Sequence, residues 1–178
     1  EVYRGPQGTR FGASALAGLV NIVGRDPGDV LEGRVDAGYG NLDSWYLAAA
    51  GGGPLGENLG VRVAVRQNMR DGFIHNDFLG RNETQNVDEL SARAKLVWDL
   101  SPNLRAYLTT LYIDADNGYD AFSLNNSRTT LTDEPGSDDQ EVLAVAGRLH
   151  WDGGQHGVVQ LTTTWTDAEE TYGFDEDW

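Results

Sequence analysis

Four segments of the chain alternate so strictly that their two faces differ in chemistry. In Leu31 to Tyr39, Val61 to Met69, Leu90 to Trp98 and Leu143 to Trp151, one face holds Leu31, Gly33, Val35, Ala37, Tyr39, Val61, Val63, Val65, Gln67, Met69, Leu90, Ala92, Ala94, Leu96, Trp98, Leu143, Val145, Gly147, Leu149 and Trp151, 20 positions without a charge. The 16 intervening positions carry eight charges: Glu32, Arg34, Asp36, Arg62, Arg66, Arg93, Lys95 and Arg148. A period of two is the strand repeat, so the chain is expected to be all-β and antiparallel, with one face out of water. Strands are expected near residues 31 to 40, 43 to 52, 60 to 70, 89 to 99, 104 to 113, 142 to 151 and 157 to 167. The register of the fifth stays open, because both of its faces carry apolar residues. A soluble β-sandwich, such as a carbohydrate-binding or adhesive module, alternates in the same way and is the alternative.

The connections and the aromatics favour a membrane barrel. Every second connection is tight ("PLGENLG", "SPN", "DGGQH"), whereas residues 71 to 88 and 114 to 141 are long. Short turns on one side and long loops on the other are the pattern of an up-and-down transmembrane barrel. Antiparallel order places Tyr39, Trp45, Tyr112 and Trp165 at the loop-side rim and Trp98 and Trp151 at the tight-turn rim, forming two aromatic girdles. Eight steps of about 3.3 Å, tilted by about 40°, span close to the 20 to 25 Å of a barrel's apolar band.

Composition removes other classes. The formal charge of -15 argues against nucleic-acid binding, which needs a basic surface. Without cysteine there are no disulfides or thiolate metal sites. The longest uncharged stretch, Phe11 to Gly24, is shorter than the roughly 20 apolar residues of a spanning helix. No signal-peptide pattern opens the chain, which begins with Glu, and it reads as a piece of a longer protein.

The first 27 residues, "EVYRGPQGTRFGASALAGLVNIVGRDP", carry a resemblance. Arg4-Gly5-Pro6, the Phe11-Gly12 turn, the small residues Ala13 to Ala17, and Gly18-Leu19-Val20-Asn21-Ile22 resemble the end of the plug domain of TonB-dependent outer-membrane receptors. The resemblance implies a division into residues 1–28, the C-terminal part of a plug, and residues 29–178, the N-terminal strands of a transmembrane β-barrel with long extracellular loops. The plug motif then comprises Arg4, Gly5, Pro6, Gly8, Gly12, Gly18 and Asn21, with Ala13 to Ala17 as a short helix and Arg4 turned toward barrel glutamates. It also implies active uptake of a scarce ligand, most often a ferric siderophore, in a bacterial outer membrane. The partners would be outer-membrane lipid, an extracellular small-molecule ligand, and the TonB energy-coupling complex, reached through a part of the plug preceding this chain.

Candidate site residues follow from the polar face and the loops. Arg62, Arg66, Arg93, Lys95 and Arg148 make the inward wall basic, which suits anionic cargo or pairing with plug acids. Phe73, Phe78, Tyr119, Phe122, Tyr172 and Phe174 are candidate ligand contacts in the loops. Acidic residues concentrate in 114 to 141 and 167 to 178, where a solvated loop is the plain explanation and coordination of Ca²⁺, or of the divalent cations that bridge lipopolysaccharide phosphates, is the alternative. "DADNGYDAFSLN" fails as an EF-hand, having Tyr119 where Gly and Asn125 where Glu are required. His75, His150 and His156 lack metal-ligand spacing, "GPQGTRFG" lacks the Lys of a phosphate loop, and adjacent Glu169 and Glu170 point to opposite faces. No metal, cofactor or catalytic residue is expected.

Overall fold

A computed structural model describes residues 1–8, 15–120, 123 and 127–175. Its main body is one seven-stranded sheet formed by β3 (Glu32–Tyr39), β4 (Trp45–Pro54), β5 (Leu59–Arg70), β7 (Val87–Ser101), β8 (Leu104–Tyr119), β10 (Gly136–Asp152) and β11 (Val158–Gly173). Each strand pairs antiparallel with its sequence neighbour in the sheet, an up-and-down meander with β3 and β11 at its edges. Residues preceding the sheet form a ribbon of β1 (Val2–Arg4) and β2 (Gly18–Val20). Two short strands, β6 (His75–Asn76) and β9 (Thr129–Thr130), lie in different long loops and pair parallel.

All seven expected strands are present, and the register keeps the two faces separate across the sheet. Tyr39 opposes Trp45, which opposes Met69; Val63 opposes Gly51 and Ala94; Leu96 opposes Leu108, which opposes Gly147. The fifth strand is settled by its neighbours, since Trp98 pairs with Ala106 and Leu143 with Tyr112. Ala106, Leu108, Thr110 and Tyr112 therefore share the apolar face, and Arg105, Tyr107, Thr109 and Leu111 the other. A register shift between Asp99 and Ser101 tightens the turn into β8.

The apolar face is uncovered. Val35, Val63, Leu161 and Trp165 are all exposed, and Ile74, in a loop, is the one buried large hydrophobic residue among the described residues. A sandwich would bury such a face against a second sheet, whereas a barrel wall turns it to lipid.

Two expectations change. Four strands are longer than expected, β7 having 15 residues, β8 and β11 16 and β10 17, so the long connections shrink to residues 71–86 and 120–135. Asp114, Asp116, Asp138, Asp139 and Glu141, assigned to a loop, lie on paired strands, as do Tyr119 and Tyr172. Asp, Asn and Gly have low strand propensity, but pairing to an already ordered neighbour outweighs it. The second change concerns Ala13 to Ala17: Ala15 bridges to Gln7 and Ala17 accepts from the Gly5 N–H, so the described part continues the ribbon instead of a helix. Ala13 and Ser14, with Phe11 and Gly12, lie outside the described residues.

At the tight-turn end, "GGG" has a packing reason. A Cβ on Gly52 would stand 2.4 Å from the Val61 carbonyl oxygen and 2.7 Å from the Arg62 Cα, both backbone atoms. Gly52→Ala therefore has to push β4 and β5 apart, at an expected cost of about 1–3 kcal/mol by analogy with overpacking. The check is the urea unfolding midpoint of the refolded full-length protein, which should fall; an unchanged midpoint refutes this account.

Candidate functional site

In the four alternating segments the charges fall on the inward face. Arg62, Arg66, Arg93, Lys95 and Arg148 all fall on it by register, in rows such as Arg62 opposite Lys95 and Tyr107 opposite Arg148. Their surroundings differ. Arg62 donates to the Glu32 carboxylate at 2.8 Å, and Glu32 also holds Arg25 at 3.4 Å. Lys95 is ion-paired with Asp26 and donates to the Gly24 carbonyl at 3.3 Å. These contacts tie residues 24–26, just before the sheet, to its inner wall. Arg34 binds Asp36 bidentately at 2.6 and 2.7 Å, but in an exposed position where such a pair contributes little.

Arg66, Arg93 and Arg148 meet other groups. Arg66 lies over the Tyr46 ring at 4.7 Å and Arg148 over the Tyr107 ring at 3.9 Å. Arg93 packs its guanidinium against the Gly24 backbone. Arg66 and Arg93 share a concavity of about 290 Å³ with the Asp36 carboxylate, floored by small residues, Ala48, Ala50, Ala64 and Ser91. Tyr46 and Tyr107 escaped the sequence reading, although their spacing of an even number of residues from Ala48, Ala50 and Leu111 places them on this face.

Above the sheet, residues 71–86 and 120–135 are joined by a buried polar cluster that the sequence reading missed. The Asp120 carboxylate, 2 % exposed, accepts from Asn76 Nδ2 (3.0 Å), Thr84 Oγ1 (2.6 Å), Thr130 Oγ1 (2.9 Å) and Thr132 Oγ1 (2.6 Å). Asn76 is fully buried; its amide also donates to the Thr132 carbonyl at 2.8 Å and its oxygen accepts from the Leu79 N–H at 2.8 Å. Burial pushes the Asp120 carboxyl up, but hydrogen bonds from Thr132, Thr84, Asn76 and Thr130 outweigh it and hold the group below its ordinary 3.8. A depressed folded pKa means that this stabilisation is complete above about pH 3.8 and is lost as pH falls through the lower folded value. The only sequence hint is the "TTLT" run, with Thr130 and Thr132 on one face.

Of the candidate loop aromatics, the structure brings three together. Tyr119 and Tyr172 rings meet edge-on at 5.1 Å, and Phe174 stands 6.3 Å from the first and 5.8 Å from the second. Tyr119 opposes Gly136 and Tyr172 opposes Asp138, which puts both on the inward face at the loop-side rim. Phe73 and Phe78 are exposed in residues 71–86, and Phe122 lies outside the described residues. All six residues expected to form girdles, Tyr39, Trp45, Trp98, Tyr112, Trp151 and Trp165, fall on the face of the apolar residues.

The expected motif at the start of the chain forms the two-stranded ribbon. Arg4 opposes Gly18, where a Cβ would stand 2.7 Å from the Tyr3 carbonyl oxygen, so only glycine fits. Asn21 closes the ribbon, its amide donating to Glu1 Oε2 at 2.9 Å. Gly5 and Pro6 lead out of β1, Gly8 follows the Gln7 bridge, and Gly12 lies outside the described residues. The Arg4 side chain is on an exposed residue.

Comparison with known proteins gives one consistent group. The chain is 34% identical over 85 residues to the pesticin receptor of Yersinia pestis, covering 47% of this chain and 12% of that protein. It is 24% identical over 196 aligned positions to the catecholate siderophore receptor Fiu of Escherichia coli, covering 97% of this chain and 25% of that protein. The vitamin B12 transporter BtuB of Vibrio cholerae is 29% identical over 127 residues, 67% of this chain and 20% of its own length. Among solved structures, the ferripyoverdine receptor of the Pseudomonas aeruginosa outer membrane superposes with a TM-score of 0.71 at 20% identity, over 99% of this chain and 25% of that one. No protein-family model matches. The chain thus spans a quarter or less of the length of each of these relatives.

Proposed function

We propose that this chain, whose homologues are TonB-dependent outer-membrane receptors, supplies the end of the plug (residues 1–28) and the first seven barrel strands (residues 29–178) of a receptor that takes up a ferric siderophore. The observation that carries the reading is the seven-strand register, which sends every girdle aromatic outward and every candidate base inward. An apolar outward face between two aromatic rims fits lipid, and a basic inward face fits an anionic chelate. Relatives named for a catecholate siderophore and for ferripyoverdine support that ligand class.

Within the wall, Arg66 and Arg93 are the bases best placed to meet an anion, since Arg62 and Lys95 are bonded to the carboxylates of Glu32 and Asp26, whereas Asp36, the one acid lining the concavity of Arg66 and Arg93, is held bidentately by Arg34. Tyr119, Tyr172 and Phe174 form the first contact for a ligand entering at the rim. Uptake then draws on the TonB complex through a part of the plug preceding this chain, and the cargo crosses without covalent change.

The test is to express the full-length receptor in a strain stripped of its own siderophore and cobalamin receptors and to follow labelled ferric catecholate, ferripyoverdine and cobalamin. The expected result is accumulation of a ferric siderophore that a proton uncoupler abolishes. Accumulation of cobalamin alone overturns the ligand assignment, and uncoupler-insensitive or absent accumulation of all three overturns the transport reading.

A further inference from the structure

The buried carboxylate of Asp120 sits where three parts of the protein meet. Its donors come from residues 71–86 (Asn76 and Thr84) and from residues 127–135 (Thr130 and Thr132), and its own backbone continues from Tyr119, a member of the inward aromatic trio. The two loop segments are also joined by the parallel pairing of His75 with Thr129 and Asn76 with Thr130. His75 and Asp77 donate their backbone N–H groups to the carbonyls of Arg128 and Thr130 at 2.9 Å each. Loops joined only by surface contacts open independently, but a buried charge with four donors cannot lose one side without stranding the other.

We propose that Asp120 is a positioning residue that locks residues 71–86 and 127–135 into one body and fixes that body to the Tyr119–Tyr172–Phe174 wall. The two segments do not part; they move together, and the aromatic wall moves with them. Their role in ligand capture rests on the receptor reading above, whereas the locking itself does not. The ionisable groups around the cluster, His75, Asp77, Arg81 and Glu83 on one segment and Arg128, Asp133 and Glu134 on the other, are not among the donors to Asp120.

The experiment uses the full-length receptor in intact cells and a surface protease, so no ligand is needed. Asp120→Ala should raise the nicking rate of both segments, on the order of a hundredfold, because removing the shared acceptor leaves buried donors unpaired on each side. Acceleration confined to residues 127–135 overturns the proposal. Should Asp120→Ala fail to assemble, Asp120→Asn keeps the shape and one acceptor oxygen, and a smaller acceleration, again in both segments, is expected.

A rescue separates positioning from general folding. This chain has no cysteine, so in a full-length background with any other cysteine replaced, His75→Cys with Thr129→Cys gives a single disulfide across the parallel pair. In the Asp120→Ala background it should restore protection to both segments; failure to restore either overturns the proposal. In a separate receptor, spin labels at Phe78→Cys and Thr171→Cys should give one narrow distance with Asp120 and a broad one with Asp120→Ala. An unchanged distribution means that the segments are not fixed to the wall through Asp120.

Discussion

Arginine at Val63 is expected to strip the folded barrel of much of its stability, whereas arginine at Ala146 is expected to leave it nearly intact. Val63 lies midway between the two aromatic rims on the outward face, opposite Gly51 and Ala94, with only apolar or small neighbours. Ala146 lies at similar depth on the inward face, opposite Thr109 and Thr164. A guanidinium at the midplane of the lipid face costs about 2–4 kcal/mol, a large share of the 5–15 kcal/mol typical of a folded domain. Inward, the same group stays among hydroxyls and water. The check is urea titration of full-length protein refolded into bilayers, read by heat-modifiable mobility. Equal midpoints for Val63→Arg and Ala146→Arg would refute the assignment of faces, and with it the barrel.

The second large effect is expected at Glu32. Its carboxylate holds Arg62, whose side chain is 16% exposed, and also reaches Arg25 in the segment leading into the sheet. Glu32→Ala strands the Arg62 guanidinium against the wall, and breaking a buried pair from one side costs about 3–5 kcal/mol, less here because Glu32 itself is one-third exposed. Replacing both, as Glu32→Ala with Arg62→Ala, removes the stranded charge and should recover most of the loss. The segment 24–26 should loosen with Glu32→Ala, seen as faster backbone hydrogen exchange in the full-length receptor. A double variant no more stable than Glu32→Ala alone would mean that the pair is not coupled.

The wall was legible in the sequence for a local reason. Alternation is a property of each strand by itself, so Leu31 to Tyr39 or Leu143 to Trp151 states its own two faces, and the aromatics at their ends state the rims. The fifth strand did not, because Tyr107, Leu111 and Ile113 make its inward face apolar too; only the opposing Trp98 and Leu143 decide its register. The polar strand ends were read as loops for the same reason. Asp114, Asp116 and Gly118 have weak strand propensity, yet each stands opposite a residue of β10.

The candidate bases were legible as a set but not as individuals. Alternation puts Arg62, Arg66, Arg93, Lys95 and Arg148 on one face; it does not say that Glu32 and Asp26 occupy two of them, since those contacts join residues far apart in the chain. The Asp120 cluster is the extreme case. Asn76, Thr84, Thr130 and Thr132 are ordinary loop residues in any local reading, and Asp120 among them looks like one more solvated acid.

Strand count and the separation of two faces could thus be read from local pattern, because period-two patterning acts within single strands. The tertiary structure decided which bases are neutralised, how far the strands continue past the rim, and that two loops share one buried carboxylate. Those depend on what lies across from each residue, and a burial cost paid jointly by distant segments leaves no mark in either segment alone.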